Sequence, residues 1–538
     1  MADMQLHIDG NGVVRSPLHV TIPAVDLFSY IVSSGDPISR QSRQYFDAAA
    51  PSRNLSLEEA TMMAKRFGKG LQQQGLKKQD KVLIAAPNDI FHPVVLWGVI
   101  AAGGVFTGCS PTSSLHELEY QLRDSEARFL VVASECVGVA TDAADKAGVP
   151  RANIFLLGSE PSKDQSPAQP RSWEDIFVSE QEAESWQWVK ISSLSEATST
   201  TAVINYSSGS TGIPKGVELT HYNIIANAEQ VALKRSQVAN TSCGRAREER
   251  AQISGDRWLA AVPMYHAFGQ SYFCVIAPRL QAKVFTMPKF DLTRYLTFAD
   301  IYRITFLNVV PAMMAMFCRV ENPGRFNLKS ANLVISGAAP LDAASARQFQ
   351  HLYLRPGTCV KQGWGMTETT CQFIGFAPDD MDDGRSIGWL NPNCKARIVP
   401  VPGREFGRGP KGEQVGELWA AGPNVMRGYW KREKETADTF VSEHGERWLR
   451  TGDVGYVDDR GCFYIVDRLK ELIKVNGLQV SPAELEGGLM GVPGVKDAGV
   501  VGAKRQATRR PISALVSNIV AGMAESSRKR LLFGKTMT

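Results

Sequence analysis

The chain has 538 residues, 43% of them apolar, and a formal net charge of +5. That length can bury more than one core, so two or more domains are expected, and so small a charge excludes a broad basic surface for nucleic acid. Nine cysteines stand singly without a C-x-x-C pair, which argues against a disulfide scaffold or a zinc knuckle.

The opening "MADMQLHIDG" lacks the basic–apolar–small order of a secretory signal. Ser56 and Glu59 have capping-box spacing and predict a helix running to Gly75. "DKVLIAA" (80–86) follows as a buried strand, then the helical "IFHPVVLWGVIAAG" and the strand "ARFLVVAS". The longest apolar run, Val94 to Phe106, is too short to cross a bilayer as a helix. "SLSEATST" (193–200) is expected as a flexible polar lead-in to a glycine-rich loop. "DRWLAAVP", "AKVFTMP", "ITFLNVVP" and "ANLVISG" are further strands with helical stretches between them. Alternation of this kind predicts parallel α/β sheets. From about Cys394 the strands shorten and the turns "HGE" and "DDRG" appear, which predicts a small antiparallel β-rich subdomain. The positive charge is concentrated at the end: from Ala503 onward there are eight Lys or Arg and one Glu. "KTMT" is not a peroxisomal S-K-L address, so a cytoplasmic location without a transmembrane segment is expected.

Four motifs and one histidine carry chemistry. "SSGSTGIPKG" offers converging backbone N–H groups, four hydroxyls at Ser207, Ser208, Ser210 and Thr211, and the charge of Lys215, a phosphate cradle without the order of a P-loop. A flexible Ser/Gly surface loop has the same composition. "QGWGMTETT" (362–370) sets Trp364 between glycines, as a flat wall for a base or aryl group, and places Glu368 beside Thr367 as a Mg²⁺ site next to phosphates. A helix N-cap at Thr367 is the plainer alternative. Asp453 of "LRTGDVGYVDDRG" is placed in a glycine-flanked turn, where an acid can accept from a ribose diol or form an Asx-turn. "DRLKELIKVNGLQVSPAELE" (467–486) is a basic hairpin with an Asn-Gly turn leading to a helix. His266 of "VPMYHAFG" follows a strand end, where α/β folds bind ligands, although a lone histidine also serves structure.

In their order and spacing, "SSGSTGIPKG", "SGAAPL", "GWGMTET", "TGD" and "DRLKELIK" resemble the adenylate-forming superfamily of acyl-CoA ligases, peptide-synthetase adenylation domains and luciferases, most closely its 4-coumarate–CoA ligase-like branch. The resemblance implies an α/β fold. It divides the chain into an AMP-binding N-terminal domain (1–467, two α/β sheets plus the β-rich subdomain), a hinge (468–470) and a small α+β C-terminal domain (471–538). The implied activity is ATP-dependent activation of an aliphatic or aryl carboxylic acid to an acyl-adenylate, then thioester formation with coenzyme A. ATP, Mg²⁺ and coenzyme A are the implied cofactors.

By the same resemblance, Ser207, Ser208, Gly209, Ser210, Thr211, Gly212 and Lys215 hold the triphosphate. Ala338, Ala339, Gln362, Gly363 and Trp364 frame the adenine. Thr367 meets the α-phosphate, while Glu368 and Thr211 attend the metal. Asp453 takes the ribose hydroxyls with Arg468 in support, and Lys470 is the hinge. Lys289, Lys474 and Gly477 meet coenzyme A or the adenylate, and Gln479 belongs to the same active face. His266 lies beside the reacting carboxylate, with Phe268, Gln270, Gly337, Trp364, Gly365 and Met366 lining the acyl pocket. Phe268 stands where plant members carry a tyrosine and tilts the expectation toward an aliphatic or unsubstituted aryl acid.

The chain departs from the family at its end. Members carry a late lysine in a P-K-[ST]-x-x-G-K context that bridges the acid and the α-phosphate. The 68 residues after Lys470 contain no such segment, and Lys535 of "FGKT" is the only late Gly-Lys pair. The expectation is a C-terminal domain shortened relative to the family, with adenylation impaired. The alternatives are a non-catalytic paralogue that binds ATP or an acyl ligand, and a stand-alone adenylation enzyme with another acceptor.

Overall fold

The computed structural model describes residues 9–10, 12–158, 170–207, 213–382, 384–404 and 406–469 in full, together with the backbone of the short strands Ile473–Val475, Leu478–Val480, Gly499–Val500 and Ala514–Leu515.

The expected alternation is realised as two α/β sheets. In the first, Thr201–Ser207, Val105–Cys109, Lys81–Ala85, Ala127–Val132, Ile154–Leu156 and Arg171–Ser172 run parallel in that order. One edge is extended by an antiparallel hairpin partner, Lys215–Thr220, and then by Gly428–Tyr429. In the second, Val360–Gln362, Leu333–Ser336, Phe306–Val309, Arg257–Ala260, Lys283–Thr286 and Arg43–Asp47 are parallel, with Asn54–Ser56 antiparallel at the edge. Their strands are buried on both faces, hence the near-continuous Val, Ile, Leu and Phe.

Two helices tie these halves together. Leu57–Gln73 starts on the predicted capping box, with Ser56 and Glu59 each accepting from the other's backbone N–H. His92–Ala101 is apolar all round, and every one of its residues is buried, as such a helix must be. Its Trp97 Nε1 donates to the Cys274 carbonyl at 2.9 Å, reaching the π-helix Gln270–Ile276 that belongs to the second half.

The β-rich subdomain is an antiparallel sheet of Lys395–Val399, Gly416–Ala421, Glu446–Val457, Phe440–Glu443 and Phe463–Arg468. Its "HGE" turn has His444 and Gly445 both at positive φ, the geometry that matches strand twist in a tight hairpin. The sheet also takes Val13–Arg15 from the far end of the chain, against Lys395–Val399.

Two local expectations are corrected. "SLSEATST" is not a flexible lead-in: Leu194–Ser199 is a helix whose Ser193 side chain accepts from the Glu196 N–H, a cap that outweighs the polar composition. Asp453 is not in a turn but within the strand Glu446–Val457. There the register slips between Glu417 and Trp419, and Gly452 takes φ +73°. The glycines flanking Asp453 signal a bulge rather than a reversal. Within the basic segment, Ile473–Val475 and Leu478–Val480 pair antiparallel, while the expected Asn-Gly turn at Asn476 and Gly477 lies outside the described residues. Among the described residues no helix is long and apolar enough to cross a membrane.

Candidate active site

The site gathers where the carboxyl ends of both parallel sheets meet the antiparallel sheet, the usual ligand edge of α/β folds. The hairpin Thr201–Ser207/Lys215–Thr220 packs against the short turn Thr367–Thr369. Tyr206 Oη donates to Asp124 at 2.8 Å, and Tyr120 Oη donates to the Pro214 carbonyl at 2.7 Å. Arg432 closes on the same Asp124. The two ends of the cradle are therefore fixed. Ser208, Gly209, Ser210, Thr211 and Gly212 themselves lie outside the described residues.

Thr367 and Glu368 do not start a long helix; they form a buried 3₁₀ turn. Thr370 follows at φ +67°, ψ −56°, with the Cys371 N–H donating to the Thr369 carbonyl at 2.8 Å. This is a γ-turn of the strained hand, an outlier for a β-branched residue. The Thr370 hydroxyl donates to the Asn424 carbonyl at 2.7 Å, and Asn424 Nδ2 to the Thr369 carbonyl at 2.9 Å, which hold the turn in place. Tyr429 Oη donates to Glu368 Oε1 at 2.9 Å, while Lys215 Nζ sits 4.7 Å from the centroid of the Tyr429 ring. One tyrosine thus joins the acid of one motif to the lysine of another. Burial, and then the Glu368 charge, raise the Tyr429 pKa and keep it a donor.

Trp364 Nε1 donates to Asp453 Oδ2 at 2.8 Å, and Arg468 Nε pairs with Asp453 Oδ1 at 3.0 Å. Three predicted nucleotide residues, distant in sequence, are in contact. Trp364 also forms a wall of a cavity of about 450 Å³, open mouth included.

That cavity is lined by His266, Phe268, Gly337, Trp364, Gly365 and Met366 of the expected acyl pocket, with Ala338, Gly363 and Thr367. Gln270 is not part of the lining: it is buried and Asn205 Nδ2 donates to its Oε1 at 2.9 Å. The π-helix that begins at Gln270 turns this side chain inward and brings Tyr272 to the cavity instead. Ala338 is exposed with φ +73°, a strained position at the rim. Gly365 is required by close approach, since a Cβ there would lie 1.7 Å from the Cys371 carbonyl oxygen. His266 caps a short helix, its Nδ1 accepting from the Phe268 N–H at 3.4 Å. Desolvation by the surrounding walls holds its pKa below the ordinary histidine value, although the ring keeps an open edge to solvent.

Other expected residues lie off the cavity. The Gln362 side chain is a staple: its Oε1 accepts from the Leu341 N–H at 2.8 Å and its Nε2 donates to the Gly384 carbonyl at 2.9 Å. Ala339 and Lys289 are exposed and do not line it. Lys474 and Gln479 fall on the paired strands after residue 472, where only the backbone is described; Lys470 and Gly477 lie outside the described residues. Six lining or linking residues were missed in the sequence: Ala267, Tyr272, Ile335, Cys371, Gln372 and Tyr429. Cys371 and Gln372 directly follow the Thr-Glu motif, which was the available signal; Tyr272 and Tyr429 had none.

The AMP-binding enzyme family matches residues 38–430. The chain belongs to this family. Among AMP-binding enzymes, the phenylacetyl-CoA ligase epaB of Aspergillus niger is 31% identical over 486 residues, 90% of this chain and 85% of that protein. The 4-coumarate–CoA ligase-like 9 of Oryza sativa subsp. japonica is 33% identical over 477 residues, 87% and 80% of the two chains. ATP-bound MatB from Rhodopseudomonas palustris has the same fold at TM-score 0.70 and 26% identity, covering 89% of this chain and 85% of its own.

Proposed function

We propose that the chain is an acyl-CoA ligase. It joins a carboxylic acid to ATP, releasing pyrophosphate, and then passes the acyl group to coenzyme A. The observation that carries this reading is continuity: one cavity runs from Tyr272 past His266 and Thr367 to Trp364, which is bonded to Asp453. An acid in the cavity has its carboxylate beside Thr367, where the α-phosphate is delivered.

In the first step a carboxylate oxygen attacks the α-phosphorus and the bond to the β-phosphate oxygen breaks. Charge moves onto pyrophosphate, so fixed donors matter more than proton transfer. Lys215, with Ser207 to Gly212, holds the triphosphate; Thr367 holds the α-phosphate; Asp453 and Arg468 hold the ribose; Trp364, Ala338, Ala339, Gln362 and Gly363 frame the base. In the second step the thiolate attacks the acyl carbon and AMP leaves. His266, neutral because its pKa is lowered, can accept a hydrogen bond or a proton at the rim. Lys289, Lys474, Gly477 and Gln479 serve the thiol step after rotation about Lys470.

Among the described residues no cluster of three metal-ligating side chains exists. That fits Mg²⁺, which binds through phosphates, water and one or two carboxylates. Glu368 is the buried carboxylate for it, with Thr211, and the metal would supply charge neutralisation on the phosphates.

Acid-dependent pyrophosphate release across an acid panel, then thioester formation on adding coenzyme A, tests both steps. ATP binding with no acid-dependent pyrophosphate or AMP would overturn the ligase reading in favour of a binding protein.

A further inference from the structure

The cavity changes character at its buried end. Phe268, Ile335, Gly337 and Met366 give it apolar or backbone walls, and among the described residues no Lys, Arg, Asp or Glu lines it. Tyr272 and Gln372 meet across the floor, 1% and 7% exposed, whereas His266 at the mouth is open to solvent. Tyr272 stands one helical turn beyond Phe268, with the two rings edge to face at 5.4 Å. The polar handle absent at Phe268 is therefore present deeper in the pocket.

The Tyr272 hydroxyl donates to Gln372 Oε1 at 3.3 Å. A phenol this deep needs an acceptor, and burial raises its pKa so that it remains a donor. This orients the carboxamide, with Oε1 toward Tyr272. Its Nε2 then makes no hydrogen bond to any described residue. Two glycines border that nitrogen. A Cβ on Gly375 would lie 2.0 Å from it, and one on Gly363, itself part of the cavity wall, 3.1 Å. The Gln372 backbone is held as firmly, its carbonyl accepting from Asn227 Nδ2 at 2.6 Å and Asn391 Nδ2 at 2.8 Å. An oriented donor without a described partner is left beside Gly363 of the cavity wall, on a residue that itself lines the cavity.

We infer that Gln372 is a specificity-determining residue whose Nε2 donates to an acceptor on the end of the acid remote from the carboxylate. The favoured substrates are compact, otherwise uncharged aryl or heteroaryl acids with a ring nitrogen or a carbonyl or ether oxygen at that end. Tyr272 is a positioning residue that holds the carboxamide. The inference rests on the ligase reading only for the direction of the acid, carboxylate at the mouth.

The test is equilibrium binding of two isosteric pairs at neutral pH: pyridine-4-carboxylate against benzoate, and 4-acetylbenzoate against 4-isopropenylbenzoate. Pairing that donor should favour the acceptor-bearing member of each pair by about tenfold. Gln372→Leu should bring both ratios to about one while keeping the hydrocarbon acids bound. Tyr272→Phe, which releases the carboxamide to turn, should narrow the ratios part of the way. The inference is overturned if the wild-type protein binds the hydrocarbon members equally well or better, if it binds none of the four, or if folded Gln372→Leu keeps the preference. Should that variant fail to fold, the wild-type ratios and Tyr272→Phe decide. AMP formation, measured separately, distinguishes the two readings. A preference in binding without AMP formation removes the ligase reading alone, and AMP formation without preference removes this inference alone.

Discussion

At the acyl end the groups are neutral: Tyr272 donates to the Gln372 side chain, and Asn227 and Asn391 donate to the Gln372 carbonyl. At the nucleotide end, charged groups hold the corresponding places: Asp453 between Trp364 and Arg468, Glu368 under the Tyr429 hydroxyl, and Lys215 over the Tyr429 ring. A neutral wall tolerates an unpaired dipole before a ligand arrives, and selects by shape and by hydrogen bonds. A charged set needs partners in the meantime, because a buried charge left alone is far more costly than a buried dipole. On the proposed reading it exchanges those partners when phosphate and ribose enter. The two ends should therefore fail differently.

The largest expected effect is at the acyl end and comes from acid. His221 opens the helix His221–Ser236 that carries Asn227, and His92 opens the helix that carries Trp97; both rings are buried. His221 Nδ1 accepts from the Leu27 N–H at 3.0 Å, while neither His92 nitrogen has a partner among the described residues. Burial lowers both pKa values to about 3, from 6.5. The unfolded chain therefore takes protons that the folded chain refuses. Stability is fully present above pH 6.5 and falls as pH drops toward 3. At pH 5 each histidine should remove about 2 kcal/mol, together about a thousandfold in the folding equilibrium. Chemical denaturation at pH 7 and pH 5 measures this, and equal midpoints would refute it.

At the nucleotide end, Glu368→Gln keeps an acceptor for Tyr429 and removes the charge. Pyrophosphate release should fall by about a hundredfold or more, with acid binding unchanged. A matching loss of acid affinity would erase the contrast between the ends. Asp453→Asn keeps an acceptor for Trp364 and loses the Arg468 pair, whose guanidinium side is half exposed and contributes little to stability. Here the KM for ATP should rise about tenfold, and the KM for the acid should stay put. Steady-state kinetics with each substrate varied separates the two.

Much of this was legible in the chain. The capping box at Ser56, the strand run from Arg257 to Ser336 and the His444–Gly445 turn follow from local patterning. Six of the seven residues expected in the acyl pocket line one cavity. The exception, Gln270, is turned away by a π-helix, a change of helical register that composition does not announce. The sequence around Asp453 suggests a turn because glycines flank turns and bulges alike, and only the partner strand distinguishes them.

The sequence by itself determined the alternation of strands and helices, the motifs and the chemistry their side chains can perform. These depend on periodicity, backbone freedom and side-chain type, which are properties of neighbours in the chain. Only the tertiary structure decided that Trp364 bonds to Asp453, that Tyr429 stands between Glu368 and Lys215, and that Tyr272 aims the Gln372 carboxamide at the cavity floor. Those contacts join residues from different sheets, and burial removes the water that would otherwise satisfy each group, so that the partner brought near by packing becomes the one that matters.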